Sequence, residues 1–279
     1  MSFIQLNTFA LSLMRQTVVN IILPDDAPIM LTTGNPHYER PTKTLFLLHG
    51  FSGNMHDWVT GSNIQDIAIR YNLAVVMPAG DNSFYLNGRG TGRLYADFVG
   101  KELVEYMRKT FGLAMKKEDT FIAGLSMGGF GALHTGLQFP ENYGKLAAFS
   151  SALIVHEIKN QKPGFYNEVA DYDYFSSVFG NLDELEESVN NPEYLVKELK
   201  KQKEEIPAIY MAVGTEDFLL ENNRQMHAFL EAEQIEHTYI EGPGAHEWDF
   251  WNAHIEPAVC WLLECEKFIP LPPVTPENR

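Results

Sequence analysis

Short apolar runs recur along the chain, and amphipathic segments separate them. Runs of roughly four to eight apolar residues between turn-forming residues are typical of strands that are covered on both faces of a sheet. They predict strands at 17–23, 44–48, 73–77, 120–123, 146–149, 208–213 and 237–241. Apolar residues spaced three or four apart predict helices at 97–111, from 128 to about 139, at 221–233 and from about 248 to 264.

The order of these elements predicts the fold class. Strands that alternate with helices at this spacing favour an α/β fold with a mostly parallel central sheet and helices on both faces. The segment 151–207 interrupts the alternation because it contains no convincing strand, while Asn191 before Pro192 predicts the start of a helix. We interpret 151–207 as a helical insertion over the functional pocket within a single domain, 1–279, and we expect an extended proline-rich tail at 268–279.

The charge of the chain narrows its possible partners. Lysine and arginine number 21 against 37 aspartates and glutamates, which gives a formal net charge of −16. Such a surface repels phosphate backbones and anionic lipids, so we expect no nucleic-acid partner and no membrane partner. The first residues lack a cationic stretch and no run of about 18 apolar residues follows, so we expect neither a signal peptide nor a membrane span. These features together predict a cytoplasmic protein.

Two cysteines, Cys260 and Cys265, are too few for a disulfide framework. Without nearby histidines their spacing is a weak zinc signal, and we interpret them as small apolar core residues in a reducing compartment. We therefore predict no metal site.

The motif G-x-S-x-G at 124–128 lies between a predicted strand and a predicted helix. The flanking glycines permit a sharp turn and a close approach of the helix to the strand, which leaves the Ser126 hydroxyl exposed at the helix N-terminus. That end of a helix favours negative charge, and the N–H of Met127 can point at a developing oxyanion. A glycine-rich turn without any chemistry is the alternative, which the two flanking elements disfavour.

A serine hydroxyl needs a general base beside it, and open α/β sheets place such groups at the carboxyl ends of their strands. Of the nine histidines, His246 follows both the serine and a strand, on a loop rich in glycine and proline. Asp217 follows the strand 208–213 and can orient the imidazole, with Glu216 of the same turn as its rival. We prefer Asp217 because the order Ser126, Asp217, His246 resembles that of α/β-hydrolases.

The loop after the strand 44–48 supplies the second candidate for an oxyanion hole. The backbone N–H of Phe51 has the position that such a donor needs, next to the N–H of Met127 on the serine turn. His49 in the same loop is expected to be a buried structural imidazole. We expect Trp248, with Phe51 and Met127, to line a small apolar acyl site, although Trp248 is equally suited to the core of the last helix.

Four motifs carry a resemblance to a known family: HGFSGNMHDW at 49–58, AGLSMGGFGAL at 123–133, GTEDFL at 214–219 and GAHEWDFW at 244–251. The chain resembles the esterase D-like branch of the α/β-hydrolases, most of all its tributyrin esterases, whose relatives include S-formylglutathione hydrolases and feruloyl esterases. The resemblance implies an α/β-hydrolase fold and a serine carboxylesterase that hydrolyses short-chain acyl esters, such as acetyl and butyryl esters, through an acyl-enzyme. It implies Ser126, Asp217 and His246 as the triad, a small-molecule ester as the partner, and no cofactor.

One loop departs from this family, because residues 87–95 read NGRGTGRLY where its members often carry an acidic, tyrosine-rich loop. Arg89 and Arg93 near a pocket mouth would favour an anionic or polar leaving group, and solvated loop charges are an equally good interpretation.

Three other functions stay open: a thioesterase acting on S-formylglutathione, an acyltransferase of the mycolyltransferase kind, and a catalytically inactive binding module. The missing signal peptide argues against a cell-envelope acyltransferase, and the presence of all three triad residue types argues against an inactive module. Exposed aromatic residues in the insertion and the proline-rich tail would suit a homo-oligomer.

Overall fold

Eight strands form one sheet in the structure, a computed structural model that describes residues 1–268. Their bounds are β1 (Ser2–Ala10), β2 (Arg15–Leu23), β3 (Lys43–Leu48), β4 (Leu73–Pro78), β5 (Thr120–Leu125), β6 (Lys145–Phe149), β7 (Ala208–Gly214) and β8 (His237–Gly242). The strand order is β1-β2-β4-β3-β5-β6-β7-β8. The strands β3 to β8 are parallel to one another, whereas β2 pairs antiparallel with both of its neighbours, β1 and β4. The predicted α/β class with a mostly parallel sheet is confirmed. Each predicted strand is present and one or two residues longer than expected.

Helices connect the strands and cover both faces of the sheet. Their bounds are α1 (Ile29–Thr32), α2 (Asp57–Gly61), α3 (Ile64–Arg70), α4 (Tyr95–Asp97), α5 (Leu103–Phe111), α6 (Met127–Gln138), α7 (Val155–Ile158), α8 (Tyr172–Phe179), α9 (Pro192–Gln202), α10 (Leu220–Ala232) and α11 (Trp248–Leu263). Short 3₁₀ turns lie at Pro36–Glu39, Lys117–Asp119 and Leu185–Glu187. Within the described residues no helix is both long and apolar enough to cross a membrane.

The central strands are apolar throughout because both of their faces are buried. In β3, Phe46 and Leu48 pack on the side of α5, α6 and α9, while Leu45 and Leu47 pack on the side of α3 and α11. Alternate side chains of a strand point to opposite faces, so a strand covered on both sides loses the polar positions that an exposed face would show.

The edge strand β1 is absent from the sequence prediction. It pairs antiparallel with β2 along its full length, from Ser2 opposite Leu23 to Ala10 opposite Arg15. Its side chains alternate between half-buried and exposed, and the exposed set includes Gln5 and Asn7. Such an edge strand has no continuous apolar run, which is why the pattern that predicts the central strands misses it.

The predicted helix 97–111 is interrupted by a π-helical turn at Phe98–Glu102, between α4 and α5. The side-chain amide of Asn142 donates to the carbonyl of Gly100, and the hydroxyl of Tyr143 donates to the carbonyl of Val99, both at 2.9 Å. These donors come from a distant part of the chain, and the local sequence therefore does not reveal the π-turn.

The inserted segment 151–207 contains helices and no strand. Its helix α9 begins as predicted, with Asn191 Oδ1 accepting a hydrogen bond from the N–H of Glu193 at 3.1 Å and Pro192 in the first turn. That residues 1–279 form a single domain stays a prediction. Beyond Phe268, the tail predicted at 268–279 lies outside the described residues.

Candidate active site

Ser126 occupies the sharp turn between β5 and α6, with φ of 54° and ψ of −119°. A positive φ is costly for a residue other than glycine and persists where the surroundings fix it. Here the N–H of Ser126 donates to the carbonyl of Phe149, and its carbonyl accepts from the N–H groups of Phe130 and Ala152. The backbone of the serine is thus fixed on both sides, and its side chain projects from the end of the strand.

Gly128 allows α6 to approach the end of β3. A β-carbon on Gly128 would lie 2.5 Å from the carbonyl oxygen of Leu48 and 2.6 Å from that of His49. Both neighbours are backbone atoms that cannot rotate away, so a side chain at this position would push the helix and the strand apart. The second glycine of the motif is therefore required by packing next to the serine.

Three side chains from separate loops meet at the carboxyl edge of the sheet. The Oγ of Ser126 lies 3.0 Å from Nε2 of His246, and Nδ1 of His246 lies 3.0 Å and 3.1 Å from the two carboxylate oxygens of Asp217. A carboxylate has no proton to donate, so Nδ1 of His246 carries the hydrogen and Nε2 is free to accept the proton of Ser126. The structure brings together all three residues that the sequence analysis selected.

Asp217 is buried, and its carboxylate is well supplied with donors. Burial disfavours its charge and raises its pKa. Hydrogen bonds from His246 and from the N–H of Leu219, together with the polar hydroxyl of Ser150, outweigh that effect, so the pKa of Asp217 lies below its usual value. Its rival Glu216 instead accepts a hydrogen bond from the N–H of Gly244 at 2.7 Å.

The imidazole of His246 lies between two aromatic rings. Trp251 meets it edge to face, with ring centroids 5.1 Å apart, and donates its indole N–H to the hydroxyl of Ser150. Phe218 lies 4.6 Å from it on another side, in a tilted orientation. The contact with buried Trp251 and the hydrogen bond to Asp217 together restrict the rotation of His246.

The two expected oxyanion donors flank Ser126. Met127 is the first residue of α6, where a backbone N–H has no partner within the helix. Gly50, which precedes Phe51, is so close to the serine that a β-carbon on it would lie 3.5 Å from Cβ of Ser126. Within residues 1–268, neither the N–H of Phe51 nor that of Met127 donates to a protein acceptor.

Hydrogen bonds with His49 and Asn82 fix the loop that carries Phe51. Buried His49 donates from Nδ1 to the carbonyl of Gly50 and accepts the N–H of Gly80 on Nε2, each at 2.8 Å, and burial lowers the pKa of this imidazole. The N–H of Ser52 donates to Oδ1 of Asn82 at 2.7 Å. His49 is therefore neutral and structural, and it positions the loop.

Ser126 opens into a pocket of about 370 Å³. It is lined by Gly50, Phe51, Ser52, Gly53, Asp57, Thr60, Leu125, Ser126, His246, Trp248 and Trp251. Trp248 and Phe51 thus both line the pocket that contains Ser126, and their role as an acyl site stays a prediction. The side chain of Met127 is buried in the core and does not line the pocket.

A larger cavity of about 770 Å³ lies beside this pocket, among β2, the loop after β4 and α8 of the inserted segment. Phe51 and Tyr174 form part of the wall between the two, with ring centroids 5.8 Å apart, and the hydroxyl of Tyr174 donates to the carbonyl of Asn82. Arg93 lines this cavity and Arg89 does not. The inserted segment therefore borders the larger cavity and contributes no residue to the lining of the Ser126 pocket.

Three residues that shape the site were missed by the sequence analysis: Ser150, Phe218 and Asn82. Ser150 directly follows β6, and Asn82 follows β4, so their positions at strand ends were the available signal. Phe218 adjoins Asp217 in the chain. Within residues 1–268 no group of three or more histidines, cysteines, aspartates or glutamates is arranged to hold a metal ion.

Residues 11–262 match the model of a family described as putative esterases. An acetyl esterase of Caldicellulosiruptor saccharolyticus is 42% identical over 262 residues, which cover 94% of this chain and 98% of that protein.

Two solved structures from Staphylococcus aureus are similar in fold. The fluorophosphonate-binding serine hydrolase F, solved with substrate bound, has a TM-score of 0.80 and 27% identity, covering 94% of this chain and 98% of that one. The S-formylglutathione hydrolase FrmB has a TM-score of 0.78 and 27% identity over the same shares of the two chains.

Proposed function

The chain belongs to the esterase family, and we propose that it hydrolyses short-chain acyl esters, such as acetyl and butyryl esters, through an acyl-enzyme on Ser126. It is a serine hydrolase that acts on small-molecule carboxylic esters. The observation that carries the proposal is the hydrogen-bonded line from Asp217 through His246 to Ser126 at the mouth of a pocket.

The first half of the reaction transfers the acyl group to the enzyme. Nε2 of His246 takes the proton of Ser126 as Oγ attacks the ester carbonyl. Asp217 stabilises the imidazolium that forms and keeps the ring in the required tautomer. The alcohol then leaves with the proton from Nε2, and the acyl group stays on Oγ.

The second half repeats these steps with water. His246 takes a proton from a water molecule that attacks the acyl-enzyme, and it returns that proton to Oγ as the carboxylic acid leaves. In both halves the N–H groups of Phe51 and Met127 would hold the negative oxygen. Donors fixed in advance cost no reorganisation during the reaction, and for that reason each contributes much to the rate.

Two observations support a short acyl group. The pocket that contains Ser126, about 370 Å³, is at the small end of ligand sites, and Phe51, Trp248 and Trp251 limit its apolar side. The relative from Caldicellulosiruptor saccharolyticus is named an acetyl esterase.

The test is a panel of acyl lengths on the purified full chain. We expect kcat/KM to be highest for p-nitrophenyl acetate and butyrate, and about tenfold or more lower for the octanoate, because Phe51, Trp248 and Trp251 limit the apolar side of the pocket. The Ser126→Ala variant supplies the blank and should also resist a fluorophosphonate label. A flat series would contradict the short-chain preference, whereas activity no higher than that of the blank would contradict the proposed function as a whole.

A thioesterase is the second candidate, because the similar FrmB structure is named an S-formylglutathione hydrolase. The same acyl-enzyme chemistry cleaves a thioester, with a thiol as the leaving group. Comparing kcat/KM for S-formylglutathione and tributyrin distinguishes the two. A much higher value for the thioester would favour this second function.

A further inference from the structure

The ring of Phe218 is exposed to solvent and lies next to the imidazole of His246. Its side chain is 73% exposed, although it lies 4.6 Å from that ring. Single exposed apolar residues are common on protein surfaces, so exposure alone carries no meaning. The position beside the proposed general base is what makes Phe218 informative.

The backbone around Phe218 is fixed by Asp217. The N–H of Leu219 donates to Oδ1 of Asp217 at 2.8 Å, and the N–H of Leu220 donates to its carbonyl at 3.0 Å. Both bonds span Phe218, so this residue cannot move away without disturbing the carboxylate that orients His246. The backbone of Phe218 is thus held beside His246 before any substrate binds.

The direction of proton transfer decides which part of an ester meets this ring. Nε2 of His246 must deliver its proton to the leaving oxygen, so the alcohol part of the ester departs past the imidazole. Trp251, only 6% exposed, covers one side of that imidazole from the core, while Phe218 stands on its solvent side. Phe218 also lies outside the lining of the pocket that would hold the acyl group.

We propose that Phe218 and the solvent side of His246 form a subsite for the alcohol part of the ester, and that this subsite favours alcohols with a flat apolar ring. The inference rests on the proposed function, because it assigns a substrate class to the same triad. A ring stacked on Phe218 covers apolar surface and gains the pairing energy of two aromatic groups. A small alkyl alcohol gains neither.

Benzyl acetate and methyl acetate test this subsite, because they share the acyl group and differ in the ring of the alcohol. For the Phe218→Ala variant we expect kcat/KM to fall about fivefold to tenfold with benzyl acetate, mainly through KM, and to stay within about twofold with methyl acetate. Phe218→Tyr should restore the preference for benzyl acetate, and Phe218→Leu should not. Phe9→Ala is the matched control, since Phe9 is 58% exposed on β1 at the opposite edge of the sheet from β8.

Equal losses with both esters would overturn the proposal, because they would mean that Phe218 acts only by positioning His246. Unchanged kinetics with both esters would overturn it as well. The methyl acetate rates keep this failure distinct from failure of the proposed function. Wild-type protein that hydrolyses neither ester would contradict the proposed function, and this inference with it.

Discussion

The two flanks of Ser126 at the carboxyl edge of the sheet differ in what they offer a ligand. The pocket that contains Ser126 is small, about 370 Å³, and on the side of β7 and β8 His246 and Asp217 pair with each other and with the serine. On the side of β2 and β4 lies the cavity of about 770 Å³, where Arg15 and the hydroxyl of Tyr95 both bond to the carboxylate of Asp81.

The two flanks differ in burial as well as in volume. The side chain of Asp217 is 0% exposed, whereas those of Arg15 and Asp81 are 48% and 53% exposed. Charges act far more strongly on one another where water is excluded than where it screens them. We therefore expect the small flank to carry the reaction and the large flank to contribute little to it.

Removing the nucleophile or the base, which lie on the small flank, should lower activity more than any change on the large flank. Ser126→Ala and His246→Ala should each lower kcat for p-nitrophenyl acetate by about 10⁴- to 10⁶-fold, because the two side chains act as one unit. For the same reason the double variant should be no slower than either single variant. Urea unfolding should place Ser126→Ala within about 0.5 kcal/mol of the wild type. Additive losses in the double variant would contradict a shared mechanism.

Changing the orienting carboxylate should give the next largest effect. Asp217→Asn should lower kcat by about 10²- to 10⁴-fold, because an amide does not stabilise the imidazolium and favours the wrong tautomer. Glu216→Gln is the matched control from the same turn, and we expect its kcat within about threefold of the wild type because Gln still accepts the N–H of Gly244. The opposite ranking of these two variants would make Glu216 the third member of the triad.

The Asp217→Asn variant should also change how stability depends on pH in acid. Because the pKa of Asp217 lies below its usual value, its contribution to stability is present above the pKa of the unfolded chain, about 3.9, and is lost as the pH falls through the folded-state pKa. Unfolding free energies of the wild type and Asp217→Asn should therefore converge as the pH is lowered below about 4. A gap that stays constant down to pH 2 would be inconsistent with an ionised, hydrogen-bonded Asp217.

Substitutions beside the larger cavity should have the smallest effects on activity and stability. Arg15→Met removes a half-exposed ion pair, so we expect the free energy of unfolding to fall by about 1 kcal/mol or less. The kcat/KM for methyl acetate should stay within about twofold. Tyr95→Phe is the matched control, because it removes only the hydroxyl that donates to Asp81. A tenfold loss of activity in either variant would show that the two flanks are coupled.

The sequence predicts the fold wherever local pattern and burial agree. The strands β3 to β7 are covered on both faces, so their apolar runs are continuous and their positions follow from the pattern. The edge strand β1 has one exposed set of side chains, and the π-turn at Phe98–Glu102 depends on Asn142 and Tyr143 far along the chain. The strand β1 therefore lacks the continuous apolar run that reveals the central strands, and the π-turn leaves no local signal.

The candidate site also contains some residues that the sequence predicts and others that it does not. Ser126, Asp217 and His246 follow from the chemistry that a serine nucleophile requires and from the strand ends where such groups must lie. Ser150 accepts the indole N–H of Trp251, 101 positions further along the chain, and its hydroxyl lowers the pKa of Asp217. The wall between the two cavities pairs Phe51 with Tyr174. Contacts of this kind depend on tertiary packing, which one sequence does not display.

The φ of 54° at Ser126 also limits which amino acids can replace this serine in homologous proteins. A single base change turns any serine codon into one for threonine, which keeps the hydroxyl. The extra methyl group of threonine at Cβ would clash in this backbone conformation, which β-branched residues hardly ever adopt. Homologues in which the nucleophile has been replaced should therefore carry glycine, alanine or cysteine there, and hardly ever threonine.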